Sequence, residues 1–196
     1  MSYVLVLYYS HTGATKKLAE KIALGVEQGG AAAMLRTVPP VSTNIDEKHS
    51  AVPDTGAPFV TLTDLANCSG LAIGSPTRFG NMAAAMKYFI DGTSQMWLKG
   101  SLIDKPACVF TSSSSLHGGQ EATLLAMMLP LLHHGMVMVG LPYAEPDLAS
   151  TRSGGTPYGV THVTFGQASS QLTDEEERLC IAQGQRLAKI ALALEH

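Results

Sequence analysis

The chain has 196 residues, a net charge of −3, 45% hydrophobic and 15% charged residues, which fits one ordinary globular domain with chain enough for a sizeable core. That balance argues against a basic nucleic-acid footprint and a polybasic membrane patch, and no apolar run reaches the roughly 18 residues a membrane span needs. Cys68, Cys108 and Cys180 are odd in number, widely spaced and outside any C-x-x-C pair, so they read as reduced packing residues rather than disulfides or metal ligands.

The first residues lead straight into an apolar strand with no basic region or cleavage site before it, so the expected compartment is the cytoplasm. Residues 3–9, Y-V-L-V-L-Y-Y, are apolar on both faces, as a central parallel strand is. Residues 14–27 form a helix with Leu18, Ile22 and Val26 at spacing four, widened by Ala19 and Ala23 and ended by Gly29-Gly30. Residues 32–37 are a second, alanine-rich strand. Residues 38–58, with four prolines, read as a long surface connection, and 63–67 as a short helix. Residues 71–74 are a buried strand ending at Ser75-Pro76. Residues 81–91 form a helix with Asn81 as its cap and Met82, Ala85, Met86 and Phe89 on one face.

A fourth strand spans 107–112. A helix over 121–134 is expected to turn Leu124, Leu125, Met128, Leu129 and Leu132 inward and to kink at Pro130. A fifth strand spans 136–139. Residues 141–171, rich in Gly, Ser, Thr and Pro, are too long for a passive connection and are a candidate for site or interface work. The last helix spans 173–194, with Thr173 as N-cap and acidic residues in its opening turns. Glu195-His196 read as the start of a histidine tag, which leaves one domain over 1–194. Strand and helix alternate five times. Parallel strands need right-handed helical crossovers, so the prediction is an α/β fold with a doubly wound five-stranded parallel sheet of order 2-1-3-4-5 and helices on both faces.

In such sheets ligands bind beyond the carboxyl ends of the strands, near the switch in strand order. Three loops fall there. Ser10, His11, Thr12, Gly13, Ala14 and Thr15 offer hydroxyls, a tight turn and a helix N-terminus, a set suited to a phosphate monoester held by neutral donors. The loop matches neither G-x-x-x-x-G-K-[ST] nor G-x-G-x-x-G. Plain helix capping by Ser and Thr explains the same residues equally well. Thr77, Arg78, Phe79 and Gly80, after Pro76, can run along the edge of a flat ring, or be a surface turn. Ser112, Ser113, Ser114, Ser115, Leu116, His117 and Gly118 form a donor-rich loop suited to the polar end of a ring system. No G-x-S-x-G occurs to make these serines nucleophiles. Each loop alone is weak; three in order on one frame read as a candidate site for FMN.

These residues resemble a known family. The motifs V-L-V-L-Y-Y-S at 4–10, G-S-P-T-R-F-G-N-M at 74–82, H-G-G-Q-E at 117–121, H-H-G-M-V at 133–137 and G-G-T-P-Y-G at 154–159 are similar to those of the flavodoxin-like, WrbA-type NAD(P)H:quinone oxidoreductases. The resemblance runs over 4–194. It implies non-covalent FMN at residues 10–15, 77–79 and 112–118 and at His133, Trp97 beside a quinone or nicotinamide pocket, NADH or NADPH as donor, and a homotetramer whose subunits complete each other's sites. It also implies ping-pong, two-electron reduction of quinones, with the flavin and no side chain or metal performing the chemistry. Many members carry Tyr where this chain has Thr12, so the preference between NADH and NADPH stays open. His133 could also be a helix-end histidine facing the dipole, and Trp97 a loop anchor; His134 reads as structural. A flavodoxin-like electron carrier and a regulatory binding protein are the alternative functions.

Overall fold

A computed structural model describes residues 2–42, 53, 56–167 and 171–195. Parts of the expected 38–58 connection and of the 141–171 segment, and His196, lie outside the described residues.

β1 (Tyr3–Tyr8) is an interior strand with a neighbour on each side, as its two-faced apolarity requires. Alternate residues point to opposite faces. Val4, Val6 and Tyr8 pack into a core with Leu18, Ile22, Leu179 and Leu187, whereas Leu5 and Leu7 pack into a second core with Leu65, Met86, Leu124 and Met127. The first core lies under α1 (Ala14–Gln28) and α7 (Asp174–Leu194). The second lies under α2 (Leu62–Asn67), α3 (Ala84–Asp91) and α5 (Gln120–His133).

On one side β1 pairs in parallel with β2 (Ala32–Thr37), and on the other with β3 (Gly70–Arg78), which pairs with β5 (Pro106–Ser113). The fifth position is filled by two short strands in succession. Val137–Met138 (β6) pairs with Pro106 and Ala107, and Gly159–Val163 (β7) pairs with Val109 to Ser113, both parallel. The expected order 2-1-3-4-5 therefore holds, with its last strand interrupted by an excursion that includes α6 (Asp147–Ser150). The expected single fifth strand at 136–139 is only its first half. The second half was hidden inside a stretch whose Gly, Ser and Thr content reads as loop; its Val160 and Val163 are buried.

Three further expectations are corrected. β3 runs on through Pro76, which sits opposite Ser112 at the rim of the sheet. Asn81 does not cap a helix: Asn81–Met82 (β4) folds back antiparallel on Arg78 and Thr77, so Phe79-Gly80 is a two-residue hairpin turn, and α3 starts at Ala84. Both turn residues have positive φ, 54° and 76°, as the turn that follows strand twist demands. On α5 the inward residues are Thr123, Leu124, Met127 and Leu131, while Leu125, Leu129 and Leu132 are exposed. The helix is apolar nearly all round, so periodicity could not fix its rotation. α5 continues through Pro130. A short helix absent from the sequence reading, α4 (Ser94–Leu98), carries Trp97.

Candidate functional site

The chain leaves β1 for β2 on one side and then crosses to β3 on the other, so the strand order reverses between β1 and β3. A hollow of about 260 Å³ opens at the carboxyl ends of the strands there.

The first loop supplies Ser10, His11, Thr12, Ala14 and Thr15 to its wall. Gly13 sits at the N-cap of α1 with φ 93°, a left-handed turn that glycine adopts without strain, and faces a neighbouring hollow beside Tyr9 and Lys16. The capping explanation for this loop fails. Ser10 Oγ accepts from Gly13 N at 3.1 Å, which lies before the helix, and α1 itself has no side-chain cap and no acid in its first turn. By contrast α2 and α7 each close their N-terminus with a full capping box. α3, α4, α5 and α6 also lack a side-chain cap, but the N-terminus of α1 opens into the hollow, where its first N–H groups face any anion bound there.

The other two loops are tied to the first and to each other. Thr15 Oγ1 and Ser112 Oγ are hydrogen-bonded at 2.9 Å across the floor. Thr123 on α5 donates to Thr77 Oγ1 at 2.7 Å. Thr111 donates to the Ser75 carbonyl at 2.6 Å, and Ser75 Oγ accepts from Ala83 N at 2.8 Å, which fixes the exit of β3. Thr77, Arg78, Ser112, Ser113 and Ser114 reach the hollow. Phe79 and Gly80 form the hairpin tip and do not line the hollow, and the Phe79 ring is wholly exposed. Ser115, Leu116, His117 and Gly118 continue the third loop but do not line the hollow. They are shaped locally: Ser113 Oγ donates to the Ser115 carbonyl at 2.8 Å, and Gln120 to that of Leu116 at 2.9 Å.

Three lining residues were not named individually as site residues: Pro76, at the start of the second loop, and Thr164 and Gly166, which lie in the 141–171 segment expected to do site or interface work. The last two follow β7, and only recognition of G-V-T-H-V as a strand would have placed them. Among the described lining side chains His11 and Arg78 are the ones with a basic group, and none is a carboxylate. Hydroxyls, free amides, a helix N-terminus and no carboxylate fit the dianionic phosphate of FMN.

His133 and Trp97 lie elsewhere. They line a separate hollow of about 410 Å³ with Asp91, Ser94 and Pro130, which shares no residue with the first. Trp97 Nε1 donates to the His133 carbonyl at 2.8 Å, joining α4 to the end of α5, and both side chains are exposed. His134 beside them is buried. Thr93 gives its hydroxyl proton to the Ile90 carbonyl at 2.6 Å, so at 2.9 Å the His134 Nε2 must be the donor to Thr93 Oγ1. That leaves Nδ1 bare and without a partner. Burial, aided by the neighbouring His133, lowers the His134 pKa and keeps the ring neutral.

The fold recurs in known proteins. The chain superposes on a WrbA-like flavodoxin from Agrobacterium tumefaciens with a TM-score of 0.67 at 22% identity, covering all of both chains. An archaeal flavodoxin gives 0.64 at 19% identity, over 98% of this chain and 99% of that one. These likenesses establish the flavodoxin-like fold. Two curated relatives called NAD(P)H dehydrogenase (quinone) are closer in sequence. The one from Geotalea daltonii is 43% identical over 97% of each chain. The one from Geobacter sulfurreducens is also 43% identical, over 97% of this chain and 98% of its own. They accord with the resemblance carried by the motifs. The sequence profile of the NADPH-dependent FMN reductases matches residues 3–145, which hold all three loops, so this chain belongs to that family.

Proposed function

We propose that this protein binds FMN non-covalently at the hollow between β1, β3 and β5 and uses it to reduce quinones with NADH or NADPH. The observation that carries the reading is the N-terminus of α1: an uncapped 15-residue helix opening beside hydroxyls, with no acid in its first turn. The names of the 43%-identical relatives support the donor and the acceptor.

Bound FMN supplies two-electron exchange with both nicotinamide and quinone. The protein binds, orients and excludes. Thr12, Thr15 and Ser112 would hold the phosphate end through hydroxyls, and the amides of the α1 first turn would face its charge. Thr77 and the serine loop would meet the ring edge and present hydroxyl and backbone donors to it. The exposed Phe79 would border the face of the ring left open to substrates. One pocket serves both substrates in turn, so the kinetics are ping-pong.

The same reading includes a homotetramer. His133 and Trp97 do not face the hollow of their own chain, yet they form one hydrogen-bonded, exposed unit; a neighbouring subunit brings such a unit to a flavin. The outward Leu125, Leu129 and Leu132 of α5 are 46%, 60% and 53% exposed, and a helix apolar on that face calls for a partner. The three cysteines are buried and unpaired, a state a reducing cytoplasm permits.

Calorimetric titration of the purified protein with FMN tests the cofactor. Initial rates with NADH or NADPH against benzoquinone then test the reaction. Saturable FMN binding and parallel double-reciprocal lines are expected. Absence of FMN binding by folded protein would reject the whole reading, and intersecting lines would reject the ping-pong order.

A further inference from the structure

We infer that the turn after β7 is a fourth cofactor-holding segment, in which the Thr164 hydroxyl and the Gly166 backbone contact the phosphate of FMN. The inference rests on the proposed FMN site and adds a segment outside its three loops.

β7 delivers the turn to the site by register. Val163 lies opposite Ser113, and Thr164 N extends the ladder by donating to the Ser113 carbonyl at 2.9 Å. Thr164 and Gly166 thus stand beside the serine loop, in the wall of the hollow that also holds Thr12, Thr15 and Ser112. At about 260 Å³ the hollow is smaller than the roughly 300–1,000 Å³ of pockets that enclose whole ligands. It suits the narrow polar end of the cofactor rather than its ring.

The turn is closed and strained. Gln167 N donates to the Thr164 carbonyl at 2.9 Å, and between them Phe165 and Gly166 have φ of 49° and 78°. A phenylalanine rarely adopts that backbone, and such strain persists only where the surroundings impose it and often where function uses it. A Cβ on Gly166 would meet nothing within 4 Å, so packing does not require glycine. The left-handed conformation and an open approach to the hollow do.

The turn is also anchored from behind. Glu176, fully buried at the start of α7, accepts from the backbone of Val163 and Gly154 and pairs with His162 Nδ1 at 2.7 Å. The strand end just before Thr164 is therefore fixed to α7, and a fixed wall can hold a ligand without ordering cost.

The test compares FMN with riboflavin, which lacks the phosphate, by flavin fluorescence titration of the full chain. Thr164→Val removes the hydroxyl at constant shape. It should weaken FMN about tenfold, as loss of a hydrogen bond to a charged group does, and leave riboflavin binding unchanged. Thr164→Ser should restore FMN. Gly166→Ala should weaken FMN in the same selective way, and it serves if Thr164→Val melts early. Wild-type FMN affinity in both variants, or equal losses of FMN and riboflavin, would overturn the inference. Wild-type protein that binds no FMN fails the underlying reading instead, so the two failures are distinct.

Discussion

Glu176 shows how a single residue can be decided by its surroundings. Burial alone would raise its pKa. Hydrogen bonds from His162, from Thr173 N at 2.9 Å and from Gly154 N at 2.9 Å, with the charge of His162, outweigh burial and hold the carboxyl below its ordinary range. A carboxylate whose folded pKa is depressed gives stability that is complete above its unfolded value and lost as pH falls through the folded one. The unfolding free energy of the wild type should therefore decline below about pH 4.5, the ordinary value for the group. Glu176→Gln should cost about 2 kcal/mol at pH 7, the worth of a hydrogen bond to a charged group, and should flatten that decline. Urea unfolding at pH 7, 4.5 and 3 measures both; equal slopes in the two proteins would remove Glu176 from the acid response.

Among the elements, the α1–α7 pair depends on two glycines. A Cβ on Gly25 would overlap the Ile181 carbonyl, and one on Gly184 would overlap that of Ile22. These obstacles are backbone atoms, which cannot rotate away. Gly184→Ala gains about 1 kcal/mol of helix propensity, while overpacking costs about 3 kcal/mol. The net expectation is a loss of about 2 kcal/mol in denaturant unfolding; a stabilised variant would contradict the close approach. The β3–β4 hairpin carries strain of another kind. Phe79 occupies a left-handed turn position that favours Asn, Asp or Gly, and its aromatic ring is wholly exposed.

At the scale of the molecule, the outward apolar stripe of α5 and the Trp97–His133 unit at its end lie on connected elements. If they form subunit contacts, a charge on the stripe must disrupt assembly before it disturbs the fold, because Leu129 is 60% exposed. Leu129→Glu should convert a tetramer to smaller species in sedimentation velocity, with melting of the isolated subunit little changed. Turnover should fall more than FMN affinity, since the hollow of about 260 Å³ is built within one chain. A wild-type monomer with full activity would defeat this assembly.

The sequence by itself determined the strand–helix alternation, the five-position sheet and the three loops whose residues line the hollow. Each depends on local patterns: two-faced apolar runs such as 3–8, helical spacing as at Leu18, Ile22 and Val26, and hydroxyl-rich loops after strands. The tertiary structure decided what local pattern leaves degenerate. The nearly all-apolar α5 has no preferred face until the sheet selects one. The 81–82 segment becomes a strand only because β3 offers it an antiparallel edge. The second half of the fifth strand, poor in apolar residues by count, is held by its ladder to β5 and by a buried carboxylate 13 residues downstream of Val163. Such long-range pairing has no signature in the segment it stabilises, and for that reason Thr164 and Gly166 came to light only in three dimensions.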